Sequence, residues 1–286
     1  MHEVAAQAPF PRQTIWAKRV GLYAIAFVVA MGVLVPLSFS VLGGFRDNLQ
    51  LVTDPVGLPN PWVFSNYTGL LTSGSFWRQV WNSTFIALMT VALTLPAASL
   101  AAFVMARYRF RGRELVYGFF TLGLLFPVAM AILGLFTTLR GLGLLNSSLG
   151  VILPQVAFGL PLSIIIMRPF FEAIPRELQE ASEVDGCSPF RFYWSVMLPL
   201  SRPVLSTLAI LAVVGSWNAF FLPLLILIDN PTHTLPIGVN NVSTQYSTDF
   251  ALVLAYTTLA MLPALVFYAI AERQIISGLT AGAVKA

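Results

Sequence analysis

Six stretches of the chain run for about 20 residues or more without a single Asp, Glu, Lys, Arg or His: 20–42, 80–106, 115–136, 148–167, 203–228 and 250–271. A bilayer core about 30 Å thick is crossed by about 20 apolar residues in a helix. One charge at the centre of such a helix costs about 2.5–3.5 kcal/mol on insertion scales. Six charge-free runs therefore predict an all-α fold, a polytopic transmembrane helical bundle with six spans. Only 10% of the 286 residues are charged, against about 25% in soluble domains. The bundle would occupy 20–272, after a short segment 1–19 and before a tail 273–286. The first run is too long for the apolar core of a secretory signal and lacks a small-residue cleavage site, so it reads as a retained first span.

Positive residues set the expected orientation. Arg12, Lys18 and Arg19 precede the first span, and Arg107, Arg109, Arg111 and Arg113 follow the second. Arg168, Arg176, Arg191 and Arg202 lie between the fourth and fifth, and Arg273 and Lys285 follow the sixth. Only Arg46, Arg78 and Arg140 fall on the other side. The positive-inside rule then predicts that both termini are cytoplasmic. Each span also carries proline, at 36, 96, 127, 154 and 161, 203 or 223, and 263. Proline removes a helix hydrogen bond and bends the segment, and membrane bundles are rich in it in any case.

Chemistry of the chain's own is absent from the pattern. There is no GxxxxGK[ST] phosphate loop, and the spans lack the carboxylates and histidines that proton-coupled carriers commonly use. His2 and His233 stand apart, so no metal cluster is expected. Cys187 is the one cysteine and has no partner for a disulfide. No catalytic residue is expected, and energy for uphill transport would come from another subunit.

That directs attention to the loop 168–202. Pro175 suits the first turn of a helix over Arg176 to Asp185, and Gly186 suits the left-handed position that ends one. Ser188 and Pro189 then suit the cap and first turn of a second short helix. The first of these helices carries Glu177, Glu180, Glu183 and Asp185, with Ile174, Leu178 and Ala181 on one side. A helix this short is marginal alone in water, so it should dock either on its own bundle or on a partner.

Within this loop Glu180-Ala181-Ser182, three residues, Gly186, nine residues and then Val196-x-Leu198-Pro199 resemble the EAA loop of ABC-importer permeases. Ser182 and Val196 depart conservatively from that pattern. Trp217-Asn218-x-Phe220 with Pro223, Asn82-Ser83 at the start of the second span, and the ending Gly278-Leu279-Thr280-Ala281-Gly282-Ala283-Val284-Lys285-Ala286 are similar to the MalG-like branch of the maltose-type, binding-protein-dependent carbohydrate permeases. The final alanine departs from that branch's usual glycine.

The resemblance implies the type I ABC importer permease fold in a bacterial or archaeal plasma membrane. It implies a second homologous permease, two ATPase subunits that bind ATP and magnesium, and an extracytoplasmic sugar-binding protein. No cofactor would sit on this chain. Glu180, Ala181, Ser182, Asp185, Gly186, Leu198 and Pro199 would couple to the ATPase, and Gly278, Leu279, Thr280 and Lys285 would touch it from the tail. The solute would be a di- or oligosaccharide.

Candidates for the solute path are Ser216, Trp217 and Asn218 in span five, Gln155 in span four, and Tyr256, Thr257 and Thr258 in span six. Each could equally hydrogen-bond a neighbouring helix, and the partner permease could hold the sugar instead. The outer loops, from Gly43 to Gln79 and from Asp229 to Asp249, would meet the binding protein or rest on the bilayer surface. The alternative function is a stand-alone carrier or channel for a small polar solute.

Overall fold

The computed structural model describes residues 12–244 and 249–283, with side chains described for 19–242 and 249–269. In chain order the helices are α1 (Arg12–Gly43), α2 (Asn48–Thr53), α3 (Ser65–Thr72), α4 (Gly74–Arg107), α5 (Arg113–Gly123), α6 (Val128–Gly141), α7 (Ser148–Ala173) and α8 (Glu177–Val184). They continue with α9 (Pro189–Phe192), a π-helical turn (Tyr193–Met197), α10 (Leu198–Leu200), α11 (Arg202–Trp217), α12 (Phe221–Ile226), a 3-10 turn (Asn230–Thr232), α13 (Leu235–Thr244) and α14 (Phe250–Ala283).

Among the described residues, four helices are long and apolar enough to cross a membrane: Arg19–Gly43, Gly74–Arg107, Ser148–Ala173 and Phe250–Ala269. The number rises to six if two bent helix pairs, α5 with α6 and Pro189–Leu200 with α11, each count as one span. Here the structure departs from six unbroken spans. The expected span 115–136 is two helices, α5 and α6, at 97° to each other. Pro127 caps α6; it has no N–H to continue α5 and pushes Phe126 out of the helical region. The expected span 203–228 is divided as well, because α11 stops at Trp217 and α12 starts at Phe221. Pro223 cannot bond the carbonyl of Ala219 and its ring would crowd it. By contrast, Pro36, Pro96, Pro154, Pro161, Pro169 and Pro263 lie inside continuous helices.

The chain forms two compact units, one comprising the residues up to Thr68 with Asp249–Thr258 and the other Gly69–Thr248 with the residues from Leu259. In the first, Phe45 gathers Tyr67, Trp62 and Phe64 around its ring at centroid distances of 4.4, 5.3 and 5.4 Å. Arg46 is buried and spends its guanidinium on the carbonyls of Pro55, Gln50 and Asp54, which folds α2 back on the chain. Gly44 is required here, since a Cβ would lie 2.8 Å from the Ala255 Cα. Residues 44–67 of the expected 43–79 loop thus pack around a small core of their own.

The second unit is organised by α4 and α7, the most extensively packed helix pair. The buried face of α4 presents Ser83, Ala87, Thr90, Thr94, Ala98 and Ala102 at helical spacing, the small residues that let membrane helices approach closely. Two separate apolar cores hold the pair. One joins Ala98–Ala106 of α4, Ile164–Phe171 of α7, Phe192, Tyr193 and Met197 of the loop, and Val204 and Leu208 of α11. The other joins Ile86, Leu139, Val151, Ile152, Leu222, Ile226 and Ile237. Between them, α4 from 88 to 97 and α7 from 153 to 163 give neither core a fully buried member and touch the two cores only through the partly buried Met89, Leu95, Val156 and Leu160.

Candidate functional site

The loop after α7 is built outward from the first core. Arg107, at the end of α4 and 7% exposed, donates from Nη2 to the Ile174 carbonyl at 2.8 Å. This occupies an acceptor that α7 leaves free at its C-cap. Arg168 donates from Nη1 and Nη2 to the two Glu114 carboxylate oxygens at 3.0 and 2.6 Å, and from Nε to Glu172 at 2.9 Å. Its guanidinium also lies 4.1 Å from the Tyr117 ring centroid, a cation–π arrangement. Two arginines thereby tie the ends of α4, α5 and α7 into one block.

From that block α8 stands out. No residue of α8 is buried, and Glu180, Ala181, Asp185 and Gly186 are exposed. The helix begins one residue later than Arg176 and ends one before Asp185. Its end is a complete Schellman motif. The Cys187 N–H bonds the Ser182 carbonyl at 2.8 Å and the Gly186 N–H bonds the Glu183 carbonyl at 3.0 Å, with Gly186 at φ +73°. Cys187 packs on the first core. Ser188 then accepts from the Arg191 N–H and Pro189 opens α9, as the residue pattern predicts. The chain runs on through the π-helical turn, where the Tyr193 and Ser99 hydroxyls meet at 2.6 Å in the core. Leu198 packs on the same core and Pro199 is exposed. Leu178 and Ala181 stay exposed, so the chain's own described residues do not cover the apolar ridge of α8.

A cavity of about 380 Å³ lies between the two cores, lined from α4, α7, α11, the residues joining α11 to α12, and α12 itself. Gln155 and Ser216, both expected on the path, are there with Thr90 and Thr94. Gln155 Oε1 accepts from the Thr90 hydroxyl at 3.0 Å and the Ser216 hydroxyl at 2.6 Å. Gln155 Nε2 and the Thr94 hydroxyl are buried without a hydrogen-bond partner.

The other candidates are placed elsewhere. Trp217 is buried, donates to the Ala260 carbonyl at 3.3 Å and meets Phe267 edge-on, and Asn218 is exposed at the end of α11. Tyr256, Thr257 and Thr258 belong to the first unit, where Thr258 bonds Ser40 at 3.2 Å and the Leu254 carbonyl at 2.8 Å. Gly278, Leu279 and Thr280 fall on the backbone of α14, where side chains are not described, and Lys285 lies outside the described residues. Residue reasoning did not single out Thr90, Thr94, Arg107, Glu114 or Arg168 as partners. The i, i+4 pairing of Thr90 with Thr94 and of Arg168 with Glu172 was the available signal.

At the opposite end of α4 the segment after α12 is latched to the bundle. Asn82 Nδ2 donates to the Pro231 and His233 carbonyls at 3.0 and 2.9 Å, and the Ser83 hydroxyl accepts from the Leu235 N–H at 2.9 Å. Asn146, at φ +54°, accepts the Ile228 and Asp229 N–H groups on Oδ1 at 2.6 and 2.9 Å. His233 is buried, with Nδ1 accepting from Asn241 at 2.9 Å and Nε2 against the Ile228 carbonyl at 3.3 Å.

Residues 95–275 match the family model described as "Binding-protein-dependent transport system inner membrane component". The chain is 31% identical over 262 residues to the diacetylchitobiose uptake system permease protein NgcG of Streptomyces coelicolor, covering 91% of this chain and 87% of that protein. It is 31% identical over 274 residues to the arabinooligosaccharides transport system permease protein AraQ of Halalkalibacterium halodurans, covering 94% and 96%. Its fold resembles a chain of a bacterial ABC transporter involved in import of the acidic polysaccharide alginate, with a TM-score of 0.78, 22% identity, and coverage of 93% of this chain and 99% of that one.

Proposed function

Since this chain belongs to the family of binding-protein-dependent transport system inner membrane components and has the helical fold of type I ABC importer permeases, we propose that it is the permease subunit of an importer carrying a di- or oligosaccharide into the cell. Support for the solute class comes from the oligosaccharide systems named for its relatives. In this reading the termini and α8 face the cytoplasm, and a second permease completes the pathway. Two ATPase subunits hold ATP and magnesium, and an extracytoplasmic sugar-binding protein meets the outer loops. The α14 end and the tail, with Gly278, Leu279, Thr280 and Lys285, reach the ATPase pair.

The observation that carries the reading is the exposure of an acidic helix on a rigid base. α8 offers Glu180, Ala181 and Asp185 to a partner, and its Schellman cap fixes the angle at which it projects. Ser182 and Gly186 hold that cap, while Leu198 and Pro199 carry the chain back to α11. A force on α8 passes through Cys187 and Ile174 into the core shared by α4, α7 and α11. Packed cores transmit displacement because they contain little free volume. ATP-driven closure of the ATPase pair would press α8 inward and turn the bundle from one access state to the other.

Co-expression with the neighbouring transport subunits, followed by mild purification and reconstitution, tests this. ATP-dependent uptake of a saccharide by the assembled complex, absent from vesicles holding this chain alone, is the expected result. Uptake by this chain alone, without ATP, would establish a stand-alone carrier instead.

A further inference from the structure

We propose that the cavity between Thr94 and Gln155 is a subsite for one ring of an uncharged saccharide, so that this chain grips the solute itself; this rests on the saccharide-permease reading above. The Thr94 side chain is 1% exposed, lines the cavity and has no hydrogen-bond partner. Several threonines elsewhere in the helices return their hydroxyls to the backbone four residues back, as Thr84 does to Val80 at 2.8 Å and Thr207 to Pro203 at 3.0 Å. The Thr94 hydroxyl does not.

Gln155 is similarly committed on one side only. Two hydroxyls, from Thr90 and Ser216, converge on its Oε1, which leaves the Nε2 protons unused. This pair holds an amide donor and a free hydroxyl in reserve, and a ring hydroxyl both donates and accepts.

The rest of the lining fits such a ring. Phe158, Phe220 and Phe221 supply apolar faces for its C–H groups. A volume of about 380 Å³ is at the low end of the roughly 300–1,000 Å³ of small-molecule sites, which suits one ring rather than a whole oligosaccharide. None of the lining residues is charged. A carboxylated or phosphorylated ring would bring a charge into apolar surroundings with nothing to pair it, and such burial is strongly unfavourable. The subsite therefore selects neutral sugars.

The test uses the whole complex in ATP-loaded proteoliposomes, supplied with radiolabelled cellobiose, maltotriose or arabinotriose and, separately, with digalacturonate. Thr94→Val keeps the shape and deletes only the hydroxyl, and Thr94→Ser restores it. A Cβ at Gly215, which also lines the cavity, would meet no atom within 4 Å, so Gly215→Leu starts its side chain in open space and takes up cavity volume. For the neutral sugar that the wild-type complex carries, Thr94→Val should lower uptake per ATP hydrolysed about 3- to 10-fold. Thr94→Ser should retain uptake and Gly215→Leu should abolish it, all at equal membrane levels.

Wild-type uptake per ATP in both Thr94→Val and Gly215→Leu would overturn the subsite while leaving the permease reading intact. Uptake of digalacturonate alongside a neutral sugar would overturn the selection for uncharged rings. A wild-type complex that carries no saccharide would overturn the permease reading and this one with it.

Discussion

Arg168 of α7 grips Glu114 of α5 with both terminal nitrogens, at 3.0 and 2.6 Å, across 54 positions of sequence. The pair joins the first half of the bent helix couple to the helix that leads into the loop bearing α8. Arg168 is the buried partner, its side chain only 8% exposed, and Glu114 is the exposed one.

Arg168→Lys should keep the charge and lose the two-pronged geometry, because an ammonium cannot match a carboxylate in parallel. The expected outcome is a complex that assembles and hydrolyses ATP but moves several-fold less solute per ATP, consistent with loss of charge-assisted bidentate bonding. Glu114→Gln should shift the ratio in the same direction and by less. Parallel measurement of uptake and phosphate release checks both.

Gly186 stands at φ +73°, and a side chain there has open space around it. Substitution therefore acts through backbone strain alone. Gly186→Ala should cost the loop about 1–2 kcal/mol, and Gly186→Asn less, since asparagine tolerates the left-handed region. Hydrogen exchange of the 177–187 amides should rank the variants Gly, Asn, Ala, and coupling of ATP hydrolysis to uptake should fall in the same order. Gly186→Arg adds bulk on the exposed face to the same strain and should uncouple fully.

The end of α8 was legible in the residues because caps are local. Gly186, Ser188 and Pro189 act on neighbours within about one helical turn, and each sits where those rules place it. The broken spans were not legible to the same degree. Apolar runs read alike whether a helix is continuous or folded at 97°, and Pro127 and Pro223 gave only a location for a possible break. Pro96, Pro154 and Pro161, which lie in unbroken helices, carry the same local signal. The Glu114–Arg168 pair and the convergence of Thr90 and Ser216 on Gln155 join residues 54, 65 and 61 positions apart. Only the packing of α4 and α7 brings them together.

Tyr193→Phe removes the hydroxyl that meets Ser99 in the first core. Ser99 keeps its bond to the Pro96 carbonyl at 3.1 Å, so no donor is orphaned. Interhelical hydrogen bonds of this kind average about 0.6 kcal/mol in double-mutant cycles. A cycle with Ser99→Ala, read by thermal unfolding in detergent, should return a coupling of about that size.

Asn82→Leu should free the segment after α12, because one side-chain amide holds both the Pro231 and His233 carbonyls. Faster proteolysis within 229–244 is expected, with α4 itself undisturbed. Asn82→Asp should do the same, since a carboxylate turned toward two carbonyl oxygens has nothing to donate. Mass spectrometry of the early cleavage products distinguishes this loop from general unfolding.

The separation of the two apolar cores has a mechanical corollary. α4 and α7 behave as twin beams whose fully buried core residues clamp them near each end, with the cavity lined by Thr94 and Gln155 beside the middle. A load applied at one clamp is resisted least where neighbouring atoms are fewest. Flexure therefore concentrates at the chamber, and an occupant there stiffens the beams and reports its presence to the far end of the bundle.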